Sequence, residues 1–157
     1  MSFENRIVNG DFETGTLAPW QSFGAAVTGA FSHAGFNSAQ LTGGTTGGFI
    51  YQMVPMSAGE SPELFVSLSR LGGTVGPFVL VTVQYYDASS NPTGSFTQGL
   101  WEILPDVLEN EWTTAYFTLN PAPPLTTQAI VAIQNVQFPG AADLIVDDVA
   151  LLFTVGG

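Results

Sequence analysis

Short runs that alternate between apolar and polar side chains, each closed by glycine or proline, constrain this chain more than any other feature. The run VLVTVQYYD, Val79 to Asp87, places Val79, Val81, Val83 and Tyr85 on one face and Leu80, Thr82, Gln84 and Tyr86 on the other. A period of two is the geometry of an extended strand. Glu63 to Leu71 repeats the pattern, with Leu64, Val66 and Leu68 opposite Phe65, Ser67 and Ser69. Further candidate strands are Arg6–Val8, Trp20–Thr28, Ser38–Thr42, Gly48–Met56, Thr97–Leu104, Trp112–Leu119, Gln128–Phe138 and Leu144–Phe153. About ten strands at this spacing predict an all-β sandwich or barrel. No segment carries a 3.6-residue apolar stripe. The nearest, Trp101 to Glu111, is broken by Pro105 and leaves room only for a helical turn over 105–110. The loops are TGGTTGG at Thr42–Gly48, LGGTVGP at Leu71–Pro77, ASSNPTG at Ala88–Gly94 and NPAPP at Asn120–Pro124. No repeat and no linker divides the chain, so the expected organisation is a single domain over residues 1–157.

Charge narrows the function. The 157 residues include 13 Asp and Glu against two arginines, Arg6 and Arg70, for a net charge of -11. Nucleic-acid binding is excluded, because that affinity comes from Lys and Arg displacing counterions around phosphates. Anionic membranes are disfavoured for the same reason, and no apolar run is long enough to span a bilayer. The chain has no lysine, hence no Schiff base, P-loop lysine or Lys–Asn crosslink. It has no cysteine, hence no disulfide, thiolate nucleophile or zinc ribbon. The start, MSFENRIVNG, has neither the basic nor the apolar region of a signal peptide. Catalysis has little to work with. A Ser–His–Asp triad would have to use His33, the lone histidine, which sits in a Gly/Ser loop. Glu102, Asp106, Glu109 and Glu111 could supply a glycosidase pair, but they read as a solvated acidic loop. The chain is therefore expected not to be an enzyme.

The two ends hold the most informative segments: Asn9-Gly10-Asp11-Phe12-Glu13 and Val146-Asp147-Asp148-Val149. If the first and last strands lie side by side, Asp11, Glu13, Asp147 and Asp148 converge, and a hard cation resolves their repulsion. Ca²⁺, which takes roughly six to eight oxygen ligands, suits the site better than Mg²⁺. Strict alternation would put Ile145, Asp147, Val149 and Leu151 on one face and Val146, Asp148, Ala150 and Leu152 on the other. Both faces are apolar apart from the aspartate, so at least one carboxylate, Asp147 by preference, points inward and needs neutralising. The alternative is that these acids end loops and are satisfied by water and backbone amides.

An N-terminal strand followed by NGDFETG and Trp20, closing on LIVDDVALL, resembles the carbohydrate-binding modules of the galactose-binding-like jelly-roll group, notably those attached to xylanases. The resemblance implies a jelly-roll β-sandwich with one structural Ca²⁺. Its ligands would be Glu13, Asp147 and carbonyls within Ser32–Ser38. A narrower resemblance rests on NRIVNGDFETGTLAPW, FSHAGFNSAQLTGGTT and ADLIVDDVALL. These are similar to a domain that precedes collagen-like or other tandem repeats in exosporium-type surface proteins of spore-forming Firmicutes, although no Gly-X-Y repeat follows here. That likeness implies a spore-surface or extracellular location.

Two functional expectations result. One is a non-catalytic assembly module of a spore or cell surface, forming homo-oligomers through its apolar runs and possessing adhesive capacity. The other is a module that recognises glycans through exposed aromatics. Candidate ligand-facing residues are Tyr51, Tyr85, Trp101 and Gln84, chosen from Trp20, Tyr51, Tyr85, Tyr86, Trp101, Trp112, Tyr116, Gln84, Gln98 and Gln134. Tyr85 and Tyr86 point to opposite faces, so at most one lines a given cleft. The competing reading of these rings is that they fill the core, where aromatics bury much area.

Overall fold

The alternating runs become strands in the computed structural model, which describes residues 2–73, 75–100 and 104–155. Among these residues there are eleven strands. They are β1 (Ser2–Asn5), β2 (Gln21–Phe23), β3 (Ala25–Thr28), β4 (Ser38–Leu41), β5 (Gly48–Pro55), β6 (Glu63–Leu71), β7 (Val79–Tyr86), β8 (Pro92–Leu100), β9 (Thr113–Thr118), β10 (Gln128–Asn135) and β11 (Asp143–Val155). The only helical element among them is a 3-10 turn over Val107–Glu109, inside the segment where one turn was predicted. A six-stranded sheet runs β3-β4-β11-β6-β9, with β1 also paired to β11. A five-stranded sheet runs β2-β5-β10-β7-β8, and every pairing is antiparallel. This is the expected jelly-roll sandwich.

The core is the set of inward positions of both sheets. Leu64, Val66 and Leu68 of β6 meet Val79, Val81 and Val83 of β7 and Ala129, Val131 and Ile133 of β10, all fully buried. Each branched side chain taken out of water in this way contributes about 1.5–3 kcal/mol before entropy is counted.

The strand expected at Arg6–Val8 does not form there; the first strand is β1, one step earlier. Three further local features depart from the sequence pattern. The run Trp20–Thr28, expected as one strand, is split at Gly24 into β2 and β3, which belong to different sheets. Gly24 has φ +61°, and a Cβ there would lie 2.5 Å from the Gly47 carbonyl oxygen, so only glycine permits the crossing. β8 begins at Pro92, within the predicted hairpin loop, because the turn closes earlier: the Asp87 and Ser89–Asn91 backbone and side-chain hydrogen bonds complete it. The third is a bulge in β11. Asp147 pairs with Ser67 but Ala150 pairs with Phe65, so β11 carries one extra residue, and Asp148 sits at φ +47°. Leu144 and Val146 face the core before the bulge, and Val149, Leu151 and Phe153 face it after. The expected grouping of Ile145 and Asp147 with Val149 and Leu151 is therefore corrected. A bulge shifts the period-two alternation by one place.

Arg6 ties the first segment across the end of the sandwich. Its Nη1 and Nη2 donate to Glu60 Oε1 and Oε2 at 2.9 and 2.8 Å, and Nη1 also donates to the Pro55 carbonyl at 3.0 Å. The guanidinium stacks 3.7 Å from the Phe153 ring centroid. The Arg6 hydrogen bond holds the Glu60 carboxyl below its ordinary range. A lowered folded value contributes stability at neutral pH that is lost as the pH falls through it. Arg6→Gln is expected to cost about 1.5–3 kcal/mol in urea denaturation at neutral pH. It should also shrink the loss of stability on acidification; an unchanged acid limb in the variant would show that the pair contributes nothing there.

Candidate functional site

Among the described residues, no acidic residue and neither arginine lies in the five strands β2, β5, β10, β7 and β8. Cross-strand register lays out the outer face of this sheet in rows. One row reads Phe23, Phe49, Gln134, Leu80, Gly99; the next reads Gln21, Tyr51, Ala132, Thr82, Thr97; the third reads Met53, Ile130, Gln84, Ser95. Directly paired residues share a face, so each row is a line of neighbouring side chains. Phe23 and Phe49 stack at 5.9 Å and Phe49 and Tyr51 at 6.0 Å, forming an aromatic ladder along one margin. The middle row is small beyond Tyr51. Because Ala132, Thr82 and Thr97 are smaller than the neighbours in the flanking rows, side-chain size implies a furrow across the strands with these three as its floor. Its sides are Gln134 and Leu80 on one flank and Ile130 and Gln84 on the other. Gln84 Nε2 donates to the Gly94 carbonyl at 2.8 Å, which fixes that amide. Such a face can stack flat apolar rings and hydrogen-bond hydroxyls, and it has no charge with which to attract an ion.

The carboxylates of the two chain ends occupy a different place. The ends do meet: Val149 N–H donates to the Gly10 carbonyl at 2.9 Å, and Phe12 and Val149 are both in the core. Glu13 accepts from Phe36 N–H at 3.0 and 3.2 Å and from Asn37 N–H at 2.8 Å. Asp147 Oδ2 accepts from His33 N–H at 2.8 Å and Ala34 N–H at 3.3 Å, and its Oδ1 accepts from Asp148 N–H at 2.8 Å. Two acids from opposite ends of the chain thus grip the two ends of one loop, 33–37. Asp147 is 0% exposed, yet it faces away from the sandwich core: it pairs with Ser67 on the outer side of the six-stranded sheet, under this loop. Burial pushes its carboxyl up to about 6 despite the three amides. Asp148 holds the same end of the loop through a side chain: its Oδ2 lies 2.6 Å from His33 Nδ1. Asp11 is exposed and accepts only the Glu13 N–H, at 3.1 Å, among the side-chain hydrogen bonds of the described residues.

The donors near this loop suit a hard cation in kind. Glu13 and Asp147 are oxygen ligands, and Asp147 is a buried carboxylate with no guanidinium beside it, since Arg6 pairs with Glu60 and Arg70 with Asp106. Among the described residues no group of three or more His, Cys, Asp or Glu side chains converges on a metal position. A cation here would thus draw its remaining ligands from backbone oxygens or water.

A family model for a carbohydrate binding domain matches residues 4–137. The chain belongs to this carbohydrate binding domain family. No curated protein matches it. Among solved structures, the family 16 carbohydrate binding module-2 aligns with TM-score 0.73 at 18% identity, covering 94% of this chain and 99% of that one. The CBM22-1 xylan-binding domain of Xyn10C from Paenibacillus barcinonensis aligns with TM-score 0.68 at 17% identity, covering 94% of each chain. The enzymatically active domain of tailspike protein 4 from bacteriophage CBA120 aligns with TM-score 0.76 at 11% identity over 96% of this chain. This domain spans only 21% of that tailspike chain. At such identities the likeness establishes the shared sandwich.

Tyr51 and Gln84 lie on the outer face of the carbohydrate binding domain's five-stranded sheet, both half-buried. Tyr85 does not. It is 5% exposed, turned into the core beside Val83, and burial raises its hydroxyl's pKa. Its place in the row Val79, Val81, Val83 already assigned it to the apolar side. Trp101 lies outside the described residues. Trp20 is in the core, with Nε1 donating to the Asn9 carbonyl at 2.9 Å, and Tyr116 packs on Phe65 of the other sheet. Sequence reasoning overlooked Phe23, Phe49 and Thr82. The signal that could have found them was the absence of charge across all the runs that form one sheet.

The loop grip depends on a glycine. Gly35 has φ +72°, and a Cβ there would lie 2.8 Å from the Glu13 carboxyl carbon. Gly35→Ala is expected to destabilise the domain by about 1–3 kcal/mol, measured by urea denaturation. Glu13→Gln combined with Gly35→Ala should lose less than the sum of the two single changes; strict additivity would show that the two residues act independently.

Proposed function

We propose that this domain binds a neutral glycan along the furrow of the five-stranded sheet, as a non-catalytic module. The observation that carries the reading is the charge-free outer face, on which Tyr51 heads a floor of small residues beside an aromatic ladder. Family membership supports it. A pyranose presents a flat C–H face to a ring and hydroxyls at its rim. Tyr51, Phe49 and Phe23 suit the former, and Gln21, Gln134, Thr82 and Thr97 the latter. An anionic glycan would meet no cation on this face and a net charge of -11 on the molecule. The assembly role read from the chain's apolar runs has no comparable support: the apolar side chains of β11 are largely core, and those that β5 leaves outside, Phe49, Tyr51 and Met53, belong to the proposed sugar face.

Calorimetry against soluble xylan, cellulose oligosaccharides and galactan tests the reading. Xylan comes first because a structural neighbour is a xylan-binding domain. Binding to at least one polymer is expected. Tyr51→Ala should weaken it about tenfold or more, from loss of one stacked ring worth about 1.5 kcal/mol or more. Tyr85→Phe should leave affinity unchanged. Affinity should not vary with salt, because no ion pair forms. Failure to bind any neutral polymer at millimolar sugar would remove the proposal.

We also propose that Glu13 and Asp147, with backbone oxygens or water, hold a structural Ca²⁺. The ion would neutralise the buried Asp147 carboxylate and fasten the 33–37 loop to both chain ends. A ligand that binds only the folded state stabilises it by about 2.7 kcal/mol at a hundredfold excess over Kd. EDTA should therefore lower the melting temperature and added Ca²⁺ restore it, and Asp147→Asn should abolish the difference. Superimposable melts of the unaltered protein with and without chelator would show that the amide grip suffices.

A further inference from the structure

The furrow has more hydrocarbon in its flanks than a fully hydroxylated sugar calls for. Ile130 and Gln134 flank Ala132 along β10, and Leu80 and Gln84 flank Thr82 along β7. Met53, directly paired with Ile130, is 53% exposed and extends the aliphatic side. Of the polar flank, the Gln84 amide nitrogen is already bonded to the Gly94 carbonyl. A sugar hydroxyl laid against Ile130 or Leu80 loses its water without gaining a partner, and that loss is unfavourable. A methyl group in the same place gains.

We infer that the preferred ligand is a neutral glycan whose hydroxyls are partly esterified with short acyl groups, the acyl methyls resting on Ile130, Met53 and Leu80. This rests on the glycan-binding reading and narrows it. The absence of charge on the face agrees with it, since an ester is neutral and replaces a donor hydroxyl by an acceptor carbonyl. The esters lie across the furrow's sides while the ring faces stay on Tyr51 and the small floor.

The test uses one polymer in two forms: O-acetylated xylan, and the same preparation after mild alkaline deacetylation. Calorimetry on matched oligosaccharide fractions should show tighter binding of the acetylated form. The expected gain is about fourfold per methyl buried (about 0.8 kcal/mol per carbon, at about 1.4 kcal/mol per tenfold). Ile130→Thr keeps a β-branched residue in the strand and should erase the preference, its affinity for the acetylated form falling further than its affinity for the deacetylated form. Met53→Gln, at an exposed position, should reduce the preference independently if the first variant folds poorly. Equal or weaker binding of the acetylated form overturns the inference and leaves glycan binding standing. Binding of neither form overturns both, through the parent reading. If light scattering finds a dimer of the unaltered protein that Ile130→Thr dissociates, the hydrocarbon serves contact between copies and the inference is overturned.

Discussion

One extra residue in β11 governs how the two ends of this chain are used. Without the bulge between Asp147 and Ala150, strict alternation would place either Val146 or Val149 outside the core. With it, both sides of β11 contribute: Leu144 and Val146 before, Val149, Leu151 and Phe153 after. The same shift turns Asp147 to the outer side, where His33, Ala34 and Asp148 amides meet it, and leaves Val149 N–H to pair with Gly10. Gly10 in turn leads directly to Phe12 in the core and Glu13 under the loop. A Cβ on Gly10 would lie 2.0 Å from the Val149 carbonyl oxygen, so the close approach of the ends tolerates no side chain there. Sheet register, loop placement and the carboxylate grip are consequences of this one local geometry.

The sandwich also separates charge from the face proposed to meet the ligand. Among the described residues, every acidic residue and both arginines lie in the loops or on the six-stranded side, and the five-stranded sheet carries none. A protein of net charge -11 repels its own copies through those acids, which opposes association by any apolar face. The uncharged sheet can then remain open and partly aromatic without the desolvation cost that a buried ion would impose on a bound sugar. Segregation of this kind favours ligands recognised by shape, stacking and hydroxyl pairing.

Most of the strands were legible because one face of each is buried, and burial imprints a period of two. β6 spans the predicted Glu63–Leu71, and β7 differs from its predicted run by one residue. Legibility failed where non-local geometry decides. The sheet switch at Gly24 comes from the approach of Gly47, and the β11 bulge comes from pairing with β6; neither partner is adjacent in sequence. The same limit applies to the site. Tyr51 and Gln84 could be named as exposed candidates, but the furrow exists only in the register that sets Tyr51, Ala132, Thr82 and Thr97 in one row. Tyr85 was misjudged against its own alternation, since its neighbours Val81 and Val83 are core residues.

The two candidate sites lie on opposite outer faces, with the apolar core between them. Asp147 and the 33–37 loop cover the outer side of the six-stranded sheet, and the furrow crosses the outer side of the other. The close-packed core transmits displacement, but β5, β10 and β7 are held to one another along eight-residue registers that do not involve the loop. An ion at Glu13 and Asp147 would therefore act on the free energy of the whole fold and hardly on the shape of the furrow. Stability and affinity should be separable in this domain: conditions that loosen the loop lower the melting temperature, while the folded fraction keeps its ligand affinity. The proposed structural ion and the proposed recognition face would share one sandwich because each would need a sheet surface of opposite character, one rich in carboxylate and the other free of charge.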